Sequence, residues 1–180
     1  MSKEDCILCQ IVDGSIPSEA VYEDDEVFVV LDVNGANPGH VFVFSKQHHT
    51  IFEQVPETLV SKTFVIANKV SSAIFDTLQV EGTNLFVTNG VAAGQQVAHF
   101  MINVIPRSVN DGINMTWQPM KLGDDEMDTL ELQLKEAAKN VGVSSSSGEL
   151  IEAAPHAQKF MEHGALGDEN YLFKQLKRLP

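Results

Sequence analysis

The sequence predicts an α+β domain: a five-stranded antiparallel sheet with one long helix on a face, followed by a helical C-terminal extension. Three observations predict it. Five short strand-like runs, most of them rich in Val, Ile, Leu and Phe, occur before residue 106, separated by polar turns, loops or the long helical stretch. Between the third and fourth lies a long stretch whose apolar residues recur every three or four positions. The resulting order, strand-strand-strand-helix-strand-strand, lacks the strict strand–helix alternation that a parallel sheet requires.

Each element has a local reason. Cys6-Ile7-Leu8-Cys9-Gln10-Ile11-Val12 reads as a turn running into a short helix that stops at Asp13-Gly14. Pro17 then drives its predecessor out of the helical region. Ala20–Tyr22 and Val27–Leu31 are strand-like, separated by the acidic turn Glu23-Asp24-Asp25-Glu26. After the loop Asn34–Gly39, Val41–Phe44 is a third strand. From Pro56 to about Leu78, residues Leu59, Phe64, Ala67, Val70, Ile74 and Leu78 mark the apolar face of an amphipathic helix. Thr83–Thr88 and Val97–Ile105 return to strand character around the glycine-containing loop Asn89–Gln96.

Pro106 and the turn Asn110-Asp111-Gly112 end the compact part, so a domain over residues 1–117 and an extension over 118–180 are expected. In the extension, Asp124–Asn140 reads as a helix opened by acids that suit its positive N-terminus. Ser144–Gly148 reads as a flexible linker. A last helical stretch from Glu169 to Leu179 ends basic at Lys174, Lys177 and Arg178. His156 and His163 are seven apart, the wrong spacing for a helical metal pair, and read as solvated.

Composition narrows the function. At 180 residues, 43% hydrophobic and 21% charged, the chain can bury a real core. Its formal net charge of −13 argues against non-specific binding to nucleic acid or an anionic membrane, which needs a basic surface. An anionic ligand must therefore be held by a local site. No apolar run approaches the roughly 18 residues of a membrane span, and the polar opening is unlike a signal peptide, so a cytoplasmic location is expected. Only two cysteines occur, Cys6 and Cys9, spaced CxxC. Without an export signal this spacing favours metal or redox chemistry over a structural disulfide; two buried thiols is the plain alternative.

Two constellations carry chemistry. Along the strand Val97–Ile105, alternation puts His99, Met101 and Asn103 on one face and Phe100, Ile102 and Val104 on the other. The loop before it offers backbone N–H groups and the uncharged amides of Asn89, Gln95 and Gln96, groups able to hold a phosphate. By itself this is also what a polar edge on a buried strand looks like.

The segment Gly94-Gln95-Gln96-Val97-Ala98-His99-Phe100-Met101-Ile102-Asn103-Val104-Ile105-Pro106-Arg107 resembles the histidine triad (HIT) signature, in which Gly-Gln leads to three histidines at alternate positions and then Pro-Arg. Gly82-Thr83-Asn84-Leu85, Asn89-Gly90, Ile16-Pro17, Tyr22-Glu23-Asp24, Leu31-Asp32, Pro38-Gly39-His40 and Lys46 extend the likeness over roughly residues 5–120. The resemblance implies a HIT-like fold that binds a purine mononucleotide, usually as a homodimer. In active members the middle histidine attacks the α-phosphorus and forms a covalent nucleotidyl-histidine that water opens. Here the first histidine is His99, but Met101 stands at the second position and Asn103 at the third. A thioether is neither basic nor titratable, so Met101 cannot serve as nucleophile, acid or base.

The same resemblance implies a zinc ion on Cys6, Cys9, His48 and His99, with His49 as the near alternative to His48 and His40 at a position in the sheet. It also implies a nucleotide site at Asp32 (ribose), at Asn89, Gln95, Gln96 and Val97 (α-phosphate), and around Met101 and Asn103. Asp32 can equally cap its loop, and Met101 can pack against a base or fill vacated space. Ile11, Ile16 and Phe28 are candidates for the base pocket, and Trp117 for covering the pocket of a partner subunit. The expected function is a zinc-containing, catalytically degenerate nucleotide-binding protein. A working phosphoramidate or dinucleoside polyphosphate hydrolase is the first alternative. The second is an interaction or assembly protein whose C-terminal extension binds a protein partner.

Overall fold

The computed structural model describes residues 3–140. The expected Ser144–Gly148 linker, the stretch Glu169–Leu179, His156 and His163 lie outside the described residues. The chain divides into two compact units, Met1–Trp117 and Gln118–Pro180.

In the first unit, helix α1 (Ile7–Val12) precedes strands β1 (Ala20–Glu23), β2 (Val27–Leu31) and β3 (Val41–Ser45). Helix α2 (Glu57–Leu78) follows, then β4 (Gly82–Phe86) and β5 (Met101–Arg107). The sheet has the order β1-β2-β3-β5-β4 with every neighbouring pair antiparallel, as the sequence predicts. Strands β3 and β5 meet in a register that places Val43 opposite Ile102, Phe44 opposite Met101 and Phe42 opposite Asn103.

Both faces of the sheet are covered, and alternation divides the strand residues between them. Val27, Val29, Val41, Val43, Ile102 and Val104 pack with Leu59, Ile66, Ala67 and Ile74 of α2. Phe28, Val30, Phe44 and Met101 pack on the opposite side with Cys6, Leu8 and Cys9. This double cover explains the unbroken apolar run of β2, where Val27 through Val30 are all buried. Edge strand β1, in contrast, is exposed along its length.

The buried stripe of α2 differs from the one read off the sequence. It runs through Leu59, Thr63, Ile66, Ala67 and Ile74, while Phe64 and Leu78 are exposed. Thr63 occupies this interior because its hydroxyl donates to the carbonyls of Leu59 and Val60, so no polar atom is stranded. Phe64 instead meets Phe52 edge-to-face, with ring centroids 6.4 Å apart.

Strand β5 begins at Met101, four residues later than the sequence suggests. Val97–His99 is bent: the His99 N–H donates to the Val97 carbonyl at 2.8 Å, and pairing is recovered only after Phe100 donates to the His49 carbonyl. Strand β4 likewise stops at Phe86, two residues before the expected Thr88.

In the second unit, α3 spans Asp124–Ala137 and is opened by Asp124, Asp125 and Glu126, with the Gly123 N–H donating to Glu126 Oε2 at 3.1 Å. None of its residues is buried. No described helix is long and apolar enough to cross a membrane.

Candidate metal centre and adjoining cavity

Four side chains from three segments meet at one end of the sheet. Cys6 is the N-cap of α1 and Cys9 lies within its first turn, so one turn of helix points both sulfurs the same way. His48 follows β3, and His99 sits in the bend before β5. Cys6 Sγ is 3.4 Å and Cys9 Sγ 3.6 Å from His99 Nδ1, and Cys9 Sγ is 3.3 Å from His48 Nδ1. All four ligand atoms lie within 4.8 Å of one another. A tetrahedral ion with Zn–S near 2.3 Å and Zn–N near 2.0–2.1 Å separates its ligand atoms by roughly 3.3–3.8 Å. The three sulfur–nitrogen contacts fall in this range, and the four residues together could hold one ion.

The surroundings prepare these groups to bind. His99 Nε2 donates to the Ser45 carbonyl at 2.8 Å, which fixes the tautomer whose Nδ1 lone pair faces the sulfurs. Burial pushes the His99 imidazole down to about 4, so it is neutral at pH 7. His48 is also lowered, first by burial. Burial and the neighbouring Cys6 thiol raise Cys9 to about 11, an arrangement of thiols that a bound cation relieves. Of the adjacent histidines only His48 joins the set. His49 is buried beside it with Nε2 unpartnered, and its carbonyl receives the Phe100 N–H.

A cavity of about 740 Å³ opens on the same side of the sheet. Its apolar wall includes Ile11 and Ile16, together with Phe42, Phe86, Val97 and Met101; polar groups come from Asp32, His40, Gln96 and Asn103. Of the remaining expected residues, Phe28 is packed behind this wall, 6% exposed and tilted against Phe44 with centroids 5.8 Å apart. Asn89 and Gln95 do not line it, because their amides hold the preceding loop. Asn89 accepts from the Phe52 N–H and donates to Glu53, while Gln95 accepts from the Gly90 N–H and donates to the Thr50 and Val97 carbonyls. The Gln96 and Val97 N–H groups make no hydrogen bond to another described residue.

A buried polar chain crosses the cavity wall. Asp32 Oδ1 accepts from the Asn34 N–H at 2.9 Å, so it does cap its loop, while Oδ2 lies 3.3 Å from His40 Nδ1. The Ala36 N–H donates to His40 Nδ1 at 3.2 Å, leaving Nε2–H to donate to Asn103 Oδ1 at 3.3 Å. Asn103 in turn donates to the Phe86 carbonyl. Burial lowers the His40 imidazole, in keeping with this neutral tautomer. Gly35 makes room for it: a Cβ there would stand 2.9 Å from the His40 Cβ.

Sequence reasoning missed Phe42, Phe86, Ile105 and Met115 as lining residues. The alternation of β3 against Val43 was a usable signal for Phe42. Met115 follows the last strand and carries no pattern.

This sheet, with a CxxC helix on one face and the His99-x-Met101-x-Asn103 strand beside a cavity, defines a histidine-triad type of domain. The HIT domain family profile matches residues 13–110, and the chain belongs to the HIT family. An uncharacterised HIT-like protein of Methanocaldococcus jannaschii is 35% identical over 131 residues, covering 73% of this chain and 97% of that one. A histidine triad nucleotide-binding protein from Candida albicans superposes with a TM-score of 0.68 at 26% identity, covering 77% of this chain and all of that chain. A zinc-bound histidine triad family protein from Mycobacterium smegmatis superposes with a TM-score of 0.60 at 25% identity, over 77% of this chain and 100% of that chain.

Proposed function

We propose that this HIT protein binds a purine mononucleotide beside a structural zinc site and does not perform nucleotidyl transfer. The observation that carries the proposal is Met101. It lines the cavity, 9% exposed, at the position where the family pattern requires an attacking imidazole. A thioether cannot take up a proton or form a stable bond to phosphorus and leave again. His40 is the only imidazole lining the cavity among the described residues, and both of its nitrogens are occupied, by the Ala36 N–H and by Asn103. It is no substitute nucleophile.

Part of the expected binding site lines the cavity: Asp32, for ribose hydroxyls, and Gln96 and Val97, whose N–H groups suit an α-phosphate without a basic side chain; Asn89 and Gln95 do not. Ile11 and Ile16 offer apolar area to a base. The Candida relative's description as nucleotide-binding supports this reading. Cys6, Cys9, His48 and His99 would hold zinc, and the zinc-bound Mycobacterium neighbour supports that assignment. With four protein ligands, such an ion would supply cross-linking and would leave no open position for substrate.

A homodimer is part of the proposal: Trp117 is 81% exposed, as a residue reaching for a partner subunit would be. The C-terminal extension offers a separate protein-binding surface through Leu130 and Leu134, joined by Met127 on the same exposed face of α3. A cytoplasmic setting suits the paired free thiols.

The test is calorimetric titration of the full chain with AMP and GMP, followed by intact-mass analysis after incubation with adenosine 5′-phosphoramidate. Saturable binding with no mass increase supports the proposal; an adduct of nucleotidyl mass overturns it.

A further inference from the structure

Helix α1 has two jobs at once. Cys6 and Cys9 belong to the metal-ligand set, while Ile7, Leu8 and Ile11 of the same six-residue helix line the cavity. The strand side repeats the arrangement: His99 is a ligand, and Val97 and Met101, two residues to either side, line the cavity. Every ligand except His48 therefore lies within two residues of cavity wall.

We propose that metal at Cys6, Cys9, His48 and His99 sets the position of the cavity wall, so that metal and nucleotide bind with positive coupling. The proposal rests on the nucleotide-binding reading above and extends it to how that site is controlled. A helix of six residues is far below the length at which helices are stable alone. α1 depends on what it packs against, and among the described residues it carries no side-chain cap at Cys6. An ion drawing Cys6 and Cys9 toward His99 ties the α1 wall to the Val97–Met101 wall. Without it, that tie reduces to sulfur–imidazole contacts of 3.3–3.6 Å and to apolar packing of Cys6, Leu8, Cys9, Ile11 and Val12 with Phe28, Val30, Phe44 and Met101.

The rest of the domain does not rely on the ion. The α2 core lies on the other face of the sheet and contains none of the four ligands. Metal loss thus frees one wall of the cavity while the sheet and α2 persist. By linkage, whatever factor the metal adds to nucleotide affinity, the nucleotide adds to metal affinity.

The experiment uses the full chain, zinc-loaded and chelator-treated, titrated with AMP by calorimetry while circular dichroism follows the fold. Chelation is expected to preserve the sheet and α2 signal and to weaken AMP binding by roughly 5- to 150-fold, the usual span of coupling between sites. Competition with a chromophoric chelator, with and without saturating AMP, should show zinc affinity raised by the same factor. Equal AMP affinity in both forms overturns the coupling, as does zinc affinity indifferent to AMP. Complete unfolding on chelation also overturns it, since the ion would then support the whole domain. Failure of the zinc-loaded protein to bind AMP would instead remove the nucleotide-binding reading itself. An Ile11→Ala variant separates wall from ligand: it should keep its zinc and weaken AMP binding.

Discussion

His99 donates its Nε2 proton to the Ser45 carbonyl at 2.8 Å, and this single bond turns the Nδ1 lone pair toward the sulfurs of Cys6 and Cys9. His99 is thereby turned into the Cys6, Cys9, His48 and His99 cluster, which could hold a metal ion. Further along the same segment, Met101 and Asn103 line the cavity with a thioether and an amide.

Replacing Cys9 by Ser should abolish stoichiometric zinc binding. Emission spectrometry on purified protein should fall from about one ion per chain, the capacity of one four-ligand site, to a small fraction. His49→Ala, outside the set, should retain the metal.

Asp32→Asn should weaken AMP binding by about tenfold. A hydrogen bond to a charged group is worth about 1.5–3 kcal/mol, and the amide keeps only part of it. Calorimetry reads the change. His40 keeps its contact with Asn103, so the fold should persist.

Ile102→Ala should destabilise the domain by about 2–5 kcal/mol, because the side chain is fully buried between the sheet and α2. Denaturant unfolding measures it. A loss under 1 kcal/mol would contradict the packing described.

The Arg107–Asp111 pair sets a pH limit. Arg107 donates to both carboxylate oxygens of Asp111, and this bond holds the carboxyl well below its usual value of 3.8. A depressed acid contributes stability above its unfolded pKa and loses it as pH falls through the folded value. Wild type should therefore exceed Asp111→Asn in thermal stability at neutral pH. The gap should narrow only below about pH 3.8, where the unfolded carboxyl takes up its proton.

Much of this was legible in the sequence because period and punctuation are strong there. The five strands, the long α2, the CxxC turn and the alternation across Phe100, Met101, Ile102 and Asn103 all follow from local pattern. What the sequence concealed depends on tertiary partners. Phe64 fits the helical stripe by spacing, yet Thr63 takes the buried place because it can bond its own helix. Asn89 and Gln95 look like phosphate ligands by spacing, yet their amides bond the Phe52 N–H and the Glu53 carboxylate, and the Gly90, Thr50 and Val97 backbone, respectively. The family pattern favoured His48 over His49, and only the geometry brings His48 to Cys9 while turning His49 aside.

The most direct test of the central claim, binding without transfer, is phosphorus NMR of zinc-loaded protein mixed with adenosine 5′-phosphoramidate. The account predicts a perturbed phosphoramidate resonance and no growth of AMP. It further predicts that Met101→His raises hydrolysis by at least about a hundredfold over wild type, the low end of what a placed acid–base group supplies. Steady release of AMP by the wild-type chain, with Met101 in place, would contradict it.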